Sequence, residues 1–291
     1  MTVRRNYAED PTLGDQVFAL LESVFPGVGS GRGNGAQFGV PWESISTPFV
    51  VGDNGAVVAH VGLLSLPLFV MGRRTVVGAV DAVATDPAHR GRGLFRSLLH
   101  ELIMFAEAHY PTLLLTTVHP EYFTPFGFRV VAESIFRAPA PRVAPSGARD
   151  LDLRDPRDIA LMKDRLRRRV PLSPVLGAAD DAGVWAFYEF KSRIRYDGAL
   201  HVAVIAERVD RTLKVFDVVA PVLPTLEDVV RIAGEPVDEV VVLHRPGTVP
   251  RRRSAADAPP PDAILTASRS GRYVLRYLIR PWANPKHCPD I

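Results

Sequence analysis

Apolar positions along the first half of the chain follow two different periods. Residues 13–25 and 94–106 place their apolar side chains three or four positions apart, which predicts an amphipathic helix in each segment. Between them, residues 47–51, 56–71 and 75–85 are rich in valine, leucine and alanine and predict strands. The turns between these strands read DNG and GRR, and Asn and Gly accept the positive φ of tight hairpins. The strands are therefore predicted to form an antiparallel meander.

Shorter extended segments flank this meander. Residues 2–7 are predicted to open the chain with a strand, and residues 112–118 and 126–136 are predicted strands after the second helix. Residues 27–35 read GVGSGRGNG, which matches neither the dinucleotide-binding spacing of glycines nor the P-loop. We interpret this stretch as a flexible surface loop or lid.

The pattern restarts after residues 138–147, whose proline, alanine and serine content is typical of a linker. Beyond it we predict helices at 156–169 and from Thr225, strands at 200–207, 213–219, 239–244 and 264–279, and a proline- and arginine-rich loop at 246–261. Thr225 and Asp228 have the spacing of a capping box. We therefore divide the chain into domains at 1–145 and 146–291.

Composition excludes several classes of protein. A hydrophobic share of 47% with charges of both signs mixed along the chain indicates a globular protein with a core. Cys288 is the only cysteine, which excludes an internal disulfide and a cysteine-based metal site. The first residues lack the apolar core of a signal peptide, and the apolar stretch 57–71 is shorter than the ~20 residues of a spanning helix. We expect a cytoplasmic protein without a membrane partner.

Charge gives little support for a nucleic-acid partner. The formal net charge of +3 is small, and the arginine triplets 167–169 and 251–253 lie close to prolines. We interpret both triplets as solvated charges rather than a phosphate-binding patch.

The densest chemistry lies at the joint between the strand 75–85 and the helix 94–106. The first N–H groups of a helix have no partner within it and lie at the positive end of its dipole. Gly91 and Gly93 allow a ligand to approach the main chain, and Arg90 and Arg92 add positive charge. The joint is either an anion site or an ordinary surface turn with two basic residues.

Two motifs here resemble a known family. Residues 83–94 read VATDPAHRGRGL, which is similar to the acyl-CoA-binding motif V-x-V/T-x-P-x-x-R-G-x-G of the GNAT superfamily of N-acetyltransferases. Residues 122–128 read YFTPFGF, which is similar to the family's Y-x-x-F-G-F segment. The resemblance covers roughly residues 1–140, and the second domain fits the two-domain, Eis-like branch. Many members have Gly or Ala where this chain has Phe95.

The resemblance implies a fold and a cofactor site. The fold is α/β (α+β), a mixed and mostly antiparallel sheet flanked by helices, with a second, smaller α/β domain resembling a degenerate GNAT half. Acetyl-CoA or coenzyme A serves as co-substrate, and no metal is expected. The residues expected to hold pantetheine are Val83, Ala84 and Thr85, and those expected at the pyrophosphate are Arg90, Gly91, Arg92, Gly93, Leu94 and Phe95.

Candidates for the general base and acid follow from positions on the predicted strands and from the family's tyrosine position. Asp81 lies in an otherwise apolar strand, on the face predicted to carry Val83 and Thr85, and is either the general base or a hydrogen-bonded structural residue. His119, after the strand 112–118, is an alternative base or a local hydrogen-bonding residue. The family's tyrosine position holds Phe123, and Tyr122 stands one residue earlier. The acid is therefore Tyr122, or the thiolate leaves without a tyrosine.

Three functions remain open from the sequence. The first is an acetyl-CoA-dependent N-acetyltransferase acting on a primary amine of a small molecule or peptide. The second is an acyl-CoA sensor with little turnover, and the third is a nucleic-acid-associated protein using residues 251–253. The second domain lacks an R-G-x-G joint, so we expect it to hold no second cofactor and instead to cover the acceptor groove and contribute to a homo-oligomer.

Overall fold

The computed structural model of the protein describes residues 3–4, 6–131, 135–173, 175–189, 193–242 and 276–281. Its helices are α1 Leu13–Val24, α2 Val28–Gln37, α3 Leu94–Glu107, α4 Pro156–Arg168, α5 Ala182–Glu189 and α6 Leu226–Ala233. Its first strands are β1 Val3–Arg4, β2 Ser46–Asp53, β3 Ala56–Val70, β4 Arg73–Thr85, β5 Thr112–Thr117, β6 Arg129–Val130 and β7 Phe136–Pro139. The later strands are β8 Arg149–Asp150, β9 Leu176–Ala178, β10 Ile194–Asp197, β11 Val202–Val209, β12 Thr212–Val219, β13 Glu239–Val242 and β14 Arg276–Pro281.

These strands form two sheets of similar design. The first has the order β1-β2-β3-β4-β5-β14-β6, with β9 added beside β3. The second has the order β7-β13-β12-β11-β10-β8. Each sheet contains an antiparallel meander followed by one parallel pair, β4 with β5 and β12 with β13. A helix crosses over between the strands of each parallel pair, as parallel pairing requires. The expected mixed α/β architecture is confirmed.

Helices cover both faces of the first sheet. On one face α3 buries Leu98, Leu99 and Leu102 against the apolar side chains of β2 to β5. On the other face α1 buries Leu13, Val17 and other apolar residues against β2, β3 and β4. The stripes predicted for residues 13–25 and 94–106 are therefore the buried faces of real helices, and the β2–β3–β4 meander is also confirmed. No described helix is long and apolar enough to cross a membrane.

The prediction of a surface loop at residues 27–35 is wrong, because this stretch lies largely in α2. The four glycines within α2 make it a poor helix former, but contacts from residues outside the helix stabilise it. The carboxylate of Glu22 accepts hydrogen bonds from the amides of Gly27 and Gly29 at 2.5 and 2.9 Å. A Cβ on the buried Gly31 would lie 2.9 Å from the ring of Phe187 in α5. Glycine at position 31 therefore permits close packing of α2 against α5.

The sheets do not divide the chain at residue 145. Strand β7, at 136–139, precedes that point yet joins the second sheet, so the predicted strand 126–136 is two separate strands and the linker begins inside β7. Strands β9 and β14 follow that point yet join the first sheet. The domain division stays a prediction. Residues 243–275, which include the triplet 251–253 and most of the predicted loop and last strand, lie outside the described residues.

Candidate active site

Strands β4 and β5 pair over only part of their length. The paired residues are Gly78 with Leu113, Ala79 with Leu114 and Val80 with Leu115. Beyond Val80 the strands diverge, and β4 continues to pair only with β3 on its other side, up to Thr85 opposite Ala59. An unpaired strand edge presents N–H and C=O groups that can bind an extended ligand. The predicted pantetheine residues Val83, Ala84 and Thr85 all lie on this unpaired edge of β4.

The N-terminus of α3 follows directly, and its first amides find no acceptor among the described residues. Within the described part of the chain, the backbone N–H groups of residues 91–96 donate no hydrogen bond, and the first such bond runs from Ser97 to the carbonyl of Gly93. The helix has no side-chain cap and no acidic residue in its first turn. Gly91 and Gly93 both have φ of +76°, and a Cβ on either would meet nothing within 4 Å. The joint therefore presents several partnerless amides to one exposed space, which is the geometry of an anion site.

The two arginines of the joint are exposed and held by the main chain. Arg90 Nε donates to the carbonyl of Thr85 at 3.2 Å, and Arg92 Nη2 donates to the carbonyl of Ala88 at 3.3 Å. Neither forms an ion pair with a described acidic residue. Both guanidinium groups keep donors available for a phosphate.

An acidic pair fixes the turn ahead of the arginines. Asp86 Oδ1 accepts from the amide of Ala88 at 2.9 Å, and His89 bridges Asp86 and Asp53 at 3.0 and 3.1 Å. The hydrogen bond to Asp86, and then that to Asp53, raises the pKa of His89 above its usual value. The negative charges nearest the joint are thus engaged by His89, away from the amides of α3.

Asp81 does not lie on the face that its sequence position predicts. In the pairing of β4 with β3, Asp81 lies opposite Gly62, and the next paired residue of β4 is Ala84, opposite His60. Val61 therefore lies opposite two residues, Ala82 and Val83, which we call the β4 bulge. The bulge keeps Ala82 and Ala84 on the α1 face, whereas Val83 packs against the α3 core. The prediction that Asp81 shares a face with Val83 is wrong, because the extra residue reverses the alternation between them.

The surroundings of Asp81 favour a carboxyl group that exchanges protons near neutral pH. Burial raises its pKa to about 6, against the opposing effects of the Ala82 amide and the Tyr188 hydroxyl. Tyr188 donates to Asp81 Oδ1 at 3.4 Å from α5. No cation among the described residues forms an ion pair with Asp81. Asp81 is therefore a carboxylate above pH 6 without a fixed positive partner.

Helix α5 reaches this face from the second half of the chain. Phe187 packs against Trp42 with the rings tilted and their centroids 4.4 Å apart, and the neighbouring Tyr188 extends toward Asp81. The sequence analysis missed Tyr188, although the aromatic run at 185–188 was a signal that this segment packs against something. It also missed His60, whose Nδ1 lies 2.7 Å from the carbonyl oxygen of Ala82.

The other predicted catalytic residues form a separate group. His119 Nδ1 lies 3.0 Å from Glu121 Oε1, and the His119 ring stacks on Tyr122 with centroids 5.2 Å apart. Tyr122 is 58% exposed. No described hydrogen bond or ring contact joins this group to Asp81. The structure brings His119 and Tyr122 together but does not join them to Asp81.

Phe123 is part of the core rather than of the cleft surface. It is buried and makes edge-to-face contacts with Phe95 and Phe128, at 5.5 and 6.0 Å between centroids. Phe95, large where many GNAT members have a small residue, fills the space between Phe123 and Phe126. The aromatic residues at 95 and 123 are thus matched to each other. The described residues contain no cluster of three potential metal ligands.

Comparisons with known proteins agree with this geometry. Residues 10–131 match the family model of the acetyltransferase (GNAT) domain. No curated protein matches the sequence. Among solved structures, a conserved Enterococcus faecalis protein described as a probable N-acyltransferase is 14% identical, with a TM-score of 0.58 over 83% of this chain and 64% of that chain. This chain thus spans about two thirds of that protein.

Two further structures extend the comparison. A GCN5-related N-acetyltransferase from Kribbella flavida is 17% identical, with a TM-score of 0.55 over 97% of this chain and 70% of that chain. Eis1 from Mycobacterium abscessus is 17% identical, with a TM-score of 0.49 over 68% of this chain and 56% of that chain. At these identities the Enterococcus and Kribbella structures show a shared fold.

Proposed function

We propose that the protein, whose residues 10–131 match the family model of the acetyltransferase (GNAT) domain, is an acyltransferase that transfers the acetyl group of acetyl-CoA to a primary amine. The observation that supports the proposal most is the joint itself. The partnerless amides of residues 91–96 lie next to the unpaired edge of β4. A pyrophosphate needs the first feature and a pantetheine arm needs the second.

The residues at the joint fit the donor. The diphosphate would rest on the amides of residues 91–95, with Arg90 and Arg92 beside it and no acidic side chain in the first turn. The Arg90 amide, predicted as a further donor, instead donates to the carbonyl of Pro87 at 3.4 Å. Each contact with the helix dipole contributes roughly 0.3–1 kcal/mol when exposed. The main chain of residues 83–85 would pair with the amide groups of pantetheine. The thioester would then lie between the diverging ends of β4 and β5.

Asp81 is the proposed base. An amine with a pKa of ~10.4 is ~3.4 units from neutral pH, so deprotonating it costs roughly 4–5 kcal/mol. The carboxylate of Asp81, with its pKa raised to about 6, accepts that proton directly or through one water. The nitrogen then attacks the thioester carbonyl, the carbon–sulfur bond breaks, and coenzyme A leaves as a thiolate, which takes up the second proton that the nitrogen releases as the amide forms. A thiol pKa near ~8.5 makes this departure possible without a dedicated acid, in keeping with Phe123.

His119 and Tyr122 are the alternative base and acid. Both are exposed beyond the end of β5. Their roles depend on whether the acceptor bridges from Asp81 to this group. The proposed acceptor is a small-molecule or peptide amine, and the proposed setting is a cytoplasmic protein that uses no metal, membrane or nucleic acid and can form a homo-oligomer.

An acyl-CoA sensor with little turnover is the second candidate. The buried Phe123 at the usual tyrosine position favours it. Calorimetry with coenzyme A tests the donor site, and release of thiol from acetyl-CoA in the presence of an amine panel tests transfer. Binding without thiol release from any amine would support the sensor, whereas absence of binding would contradict both functions.

A further inference from the structure

One buried histidine lies beneath the β4 bulge. His60 is fully buried in β3, and its Nδ1 lies 2.7 Å from the carbonyl oxygen of Ala82. A carbonyl oxygen can only accept, so Nδ1 carries the proton and donates it. Burial lowers the pKa of His60 to about 4, and the ring is therefore neutral at physiological pH.

This hydrogen bond accounts for the presence of a histidine. The other ring nitrogen, Nε2, is buried and has no hydrogen-bond partner among the described residues. Burying an unmatched polar atom is unfavourable, and an apolar side chain of similar size would avoid it. Within the described chain, the only hydrogen bond of the His60 side chain is thus the one to the carbonyl of Ala82.

The bond acts on an unusual point of the backbone. Ala82 has φ of +49°, which is uncommon for a residue with a Cβ. Its conformation creates the bulge and sets which face Val83 and Ala84 occupy. A strand that lost the extra residue would turn every later side chain to the opposite face. The conformation at Ala82 therefore sets both the direction of Asp81 and the position of the unpaired edge at 83–85.

We propose that His60 is a positioning residue for acyl transfer. Through its bond to Ala82 it holds the β4 bulge, and the bulge in turn presents Asp81 to the acceptor and residues 83–85 to pantetheine. His60 touches neither substrate and moves no proton. The inference rests on the proposed function, since it assigns the unpaired edge of β4 to the acyl donor.

Gly62 supplies an independent way to disturb the same contact. A Cβ at position 62 would lie 3.1 Å from His60 Cε1 and 3.1 Å from the carbonyl oxygen of Asp81. Both distances are tighter than ordinary van der Waals contact, so either the ring or the bulge must shift. Gly62→Ala therefore disturbs the contact between the imidazole and the bulge while leaving the donor in the chain.

The experiment compares variants that keep or remove the donor. His60→Asn places an amide N–H close to the position of Nδ1, and His60→Leu fills the space without a donor. Leu64→Ala is the matched control, because Leu64 is buried on the same strand, contributes to the α1 face and pairs with Ala79, outside the bulge. Thermal unfolding, coenzyme A affinity, and kcat and KM for acetyl-CoA are measured for each.

We expect His60→Leu and Gly62→Ala to lower kcat/KM for acetyl-CoA on the order of tenfold to a hundredfold, the scale of a small misplacement of reacting groups. We expect His60→Asn to retain most of the wild-type value, and Leu64→Ala to lose stability without a comparable loss of kcat/KM. In the ligand-free protein, amide hydrogen exchange of residues 79–86 should become faster in His60→Leu and Gly62→Ala, and not in the other two variants.

Three results would overturn the inference. They are wild-type kinetics in His60→Leu, a loss in His60→Asn as large as that in His60→Leu, or an equal loss in Leu64→Ala. Where His60→Leu does not fold, Gly62→Ala and His60→Asn decide the question by the same comparison. A wild-type protein that releases no thiol contradicts the proposed function instead, and the exchange measurement then still reports whether His60 holds the bulge.

Discussion

The molecule contains two strand–helix–strand crossovers with the same topology and different chemistry. In the first, β4 leads through residues 86–93 into α3 and then to β5. In the second, β12 leads through residues 220–225 into α6 and then to β13. Each pairs its two strands in parallel beside an antiparallel meander. The differences between them lie in the start of the helix and in the aspartate of the first strand.

The two helix starts are opposite in character. The α3 start has no side-chain cap, and the amides of residues 91–96 donate no hydrogen bond within the described chain. The α6 start is closed by the predicted capping box, in which Thr225 Oγ1 accepts from the Asp228 amide at 3.1 Å and Asp228 Oδ2 accepts from the Thr225 amide at 3.1 Å. Glu227 adds a second carboxylate in the first turn. An incoming phosphate at α6 would have to displace this cap and face two negative charges.

The two aspartates differ in the same sense. Each lies beside a bulge, since Phe216 is an extra residue in β12 next to Asp217. Asp217 is buried and accepts from Arg169 Nη2 at 2.6 Å, so an internal cation balances its charge. Among the described residues, Asp81 has only the long hydrogen bond from Tyr188 and the adjacent amide. Both crossovers share one backbone topology. Among the described residues, the first differs in that its helix-start amides have no hydrogen-bond partner and its aspartate has no cation beside it.

The largest effect should come from removing the charge of Asp81. Asp81→Asn keeps the shape and removes the base, so we expect kcat to fall by roughly 10²–10⁴-fold with little change in coenzyme A affinity. The matched variant is Asp217→Asn, which removes one of the two carboxylates paired with the buried Arg169, the other being Asp181, and should cost up to about 3–5 kcal/mol of stability. Thiol-release kinetics and calorimetry below the unfolding temperature of both variants separate the outcomes. Unchanged kcat in Asp81→Asn would make His119 the leading base.

A carboxylate placed at the open helix start should have the next largest effect. Gly93→Glu introduces a side chain and a negative charge beside the amides of α3, and we expect coenzyme A to bind at least tenfold more weakly, about 1.4 kcal/mol or more. Gly72→Glu is the control, because Gly72 has φ of +75° and equally open surroundings in the β3–β4 turn. Calorimetry that shows equal affinity for both variants would contradict the proposed phosphate site.

How far the sequence predicts these features depends on the range of the interactions. The helices α1 and α3, the meander and the α6 cap depend on local periodicity and on pairs a few residues apart, and all were predicted. The α2 helix and the face of Asp81 were not, because Phe187 lies far along the chain from Gly31, and the bulge depends on a cross-strand bond from His60. The sheet to which β7, β9 and β14 each belong was also not predicted, because it depends on pairing with strands far away in the sequence. The motif at 83–94 is local, and so the sequence yields candidate cofactor residues, which stay a prediction.

The raised pKa of Asp81 gives a pH-dependent test that the paired Asp217 does not. The base works only when ionised, so kcat/KM for the amine should rise with pH through about 6 and then level off. The folded pKa lies above the ordinary value of 3.8, which means that stability falls as the pH rises from about 4 to about 6 and that the full loss is present above pH 6. Asp81→Asn should therefore stabilise the protein relative to wild type at pH 8 and lose that advantage by pH 4. Urea unfolding at both pH values measures the difference, and an advantage that is equal at both would contradict the assignment.

The smallest effect should come from opening the second helix start. Thr225→Ala removes the hydroxyl that accepts from the Asp228 amide, which costs about 0.5–2 kcal/mol in other helices. We expect a lower unfolding temperature, full coenzyme A affinity and still one coenzyme A per chain, because Glu227 and Asp228 continue to repel a phosphate. Thr225→Ser keeps a hydroxyl at this position and should behave as wild type. A second equivalent of coenzyme A bound by Thr225→Ala would mean that the cap alone had closed α6, and that the difference between the two crossovers does not depend on their acidic residues.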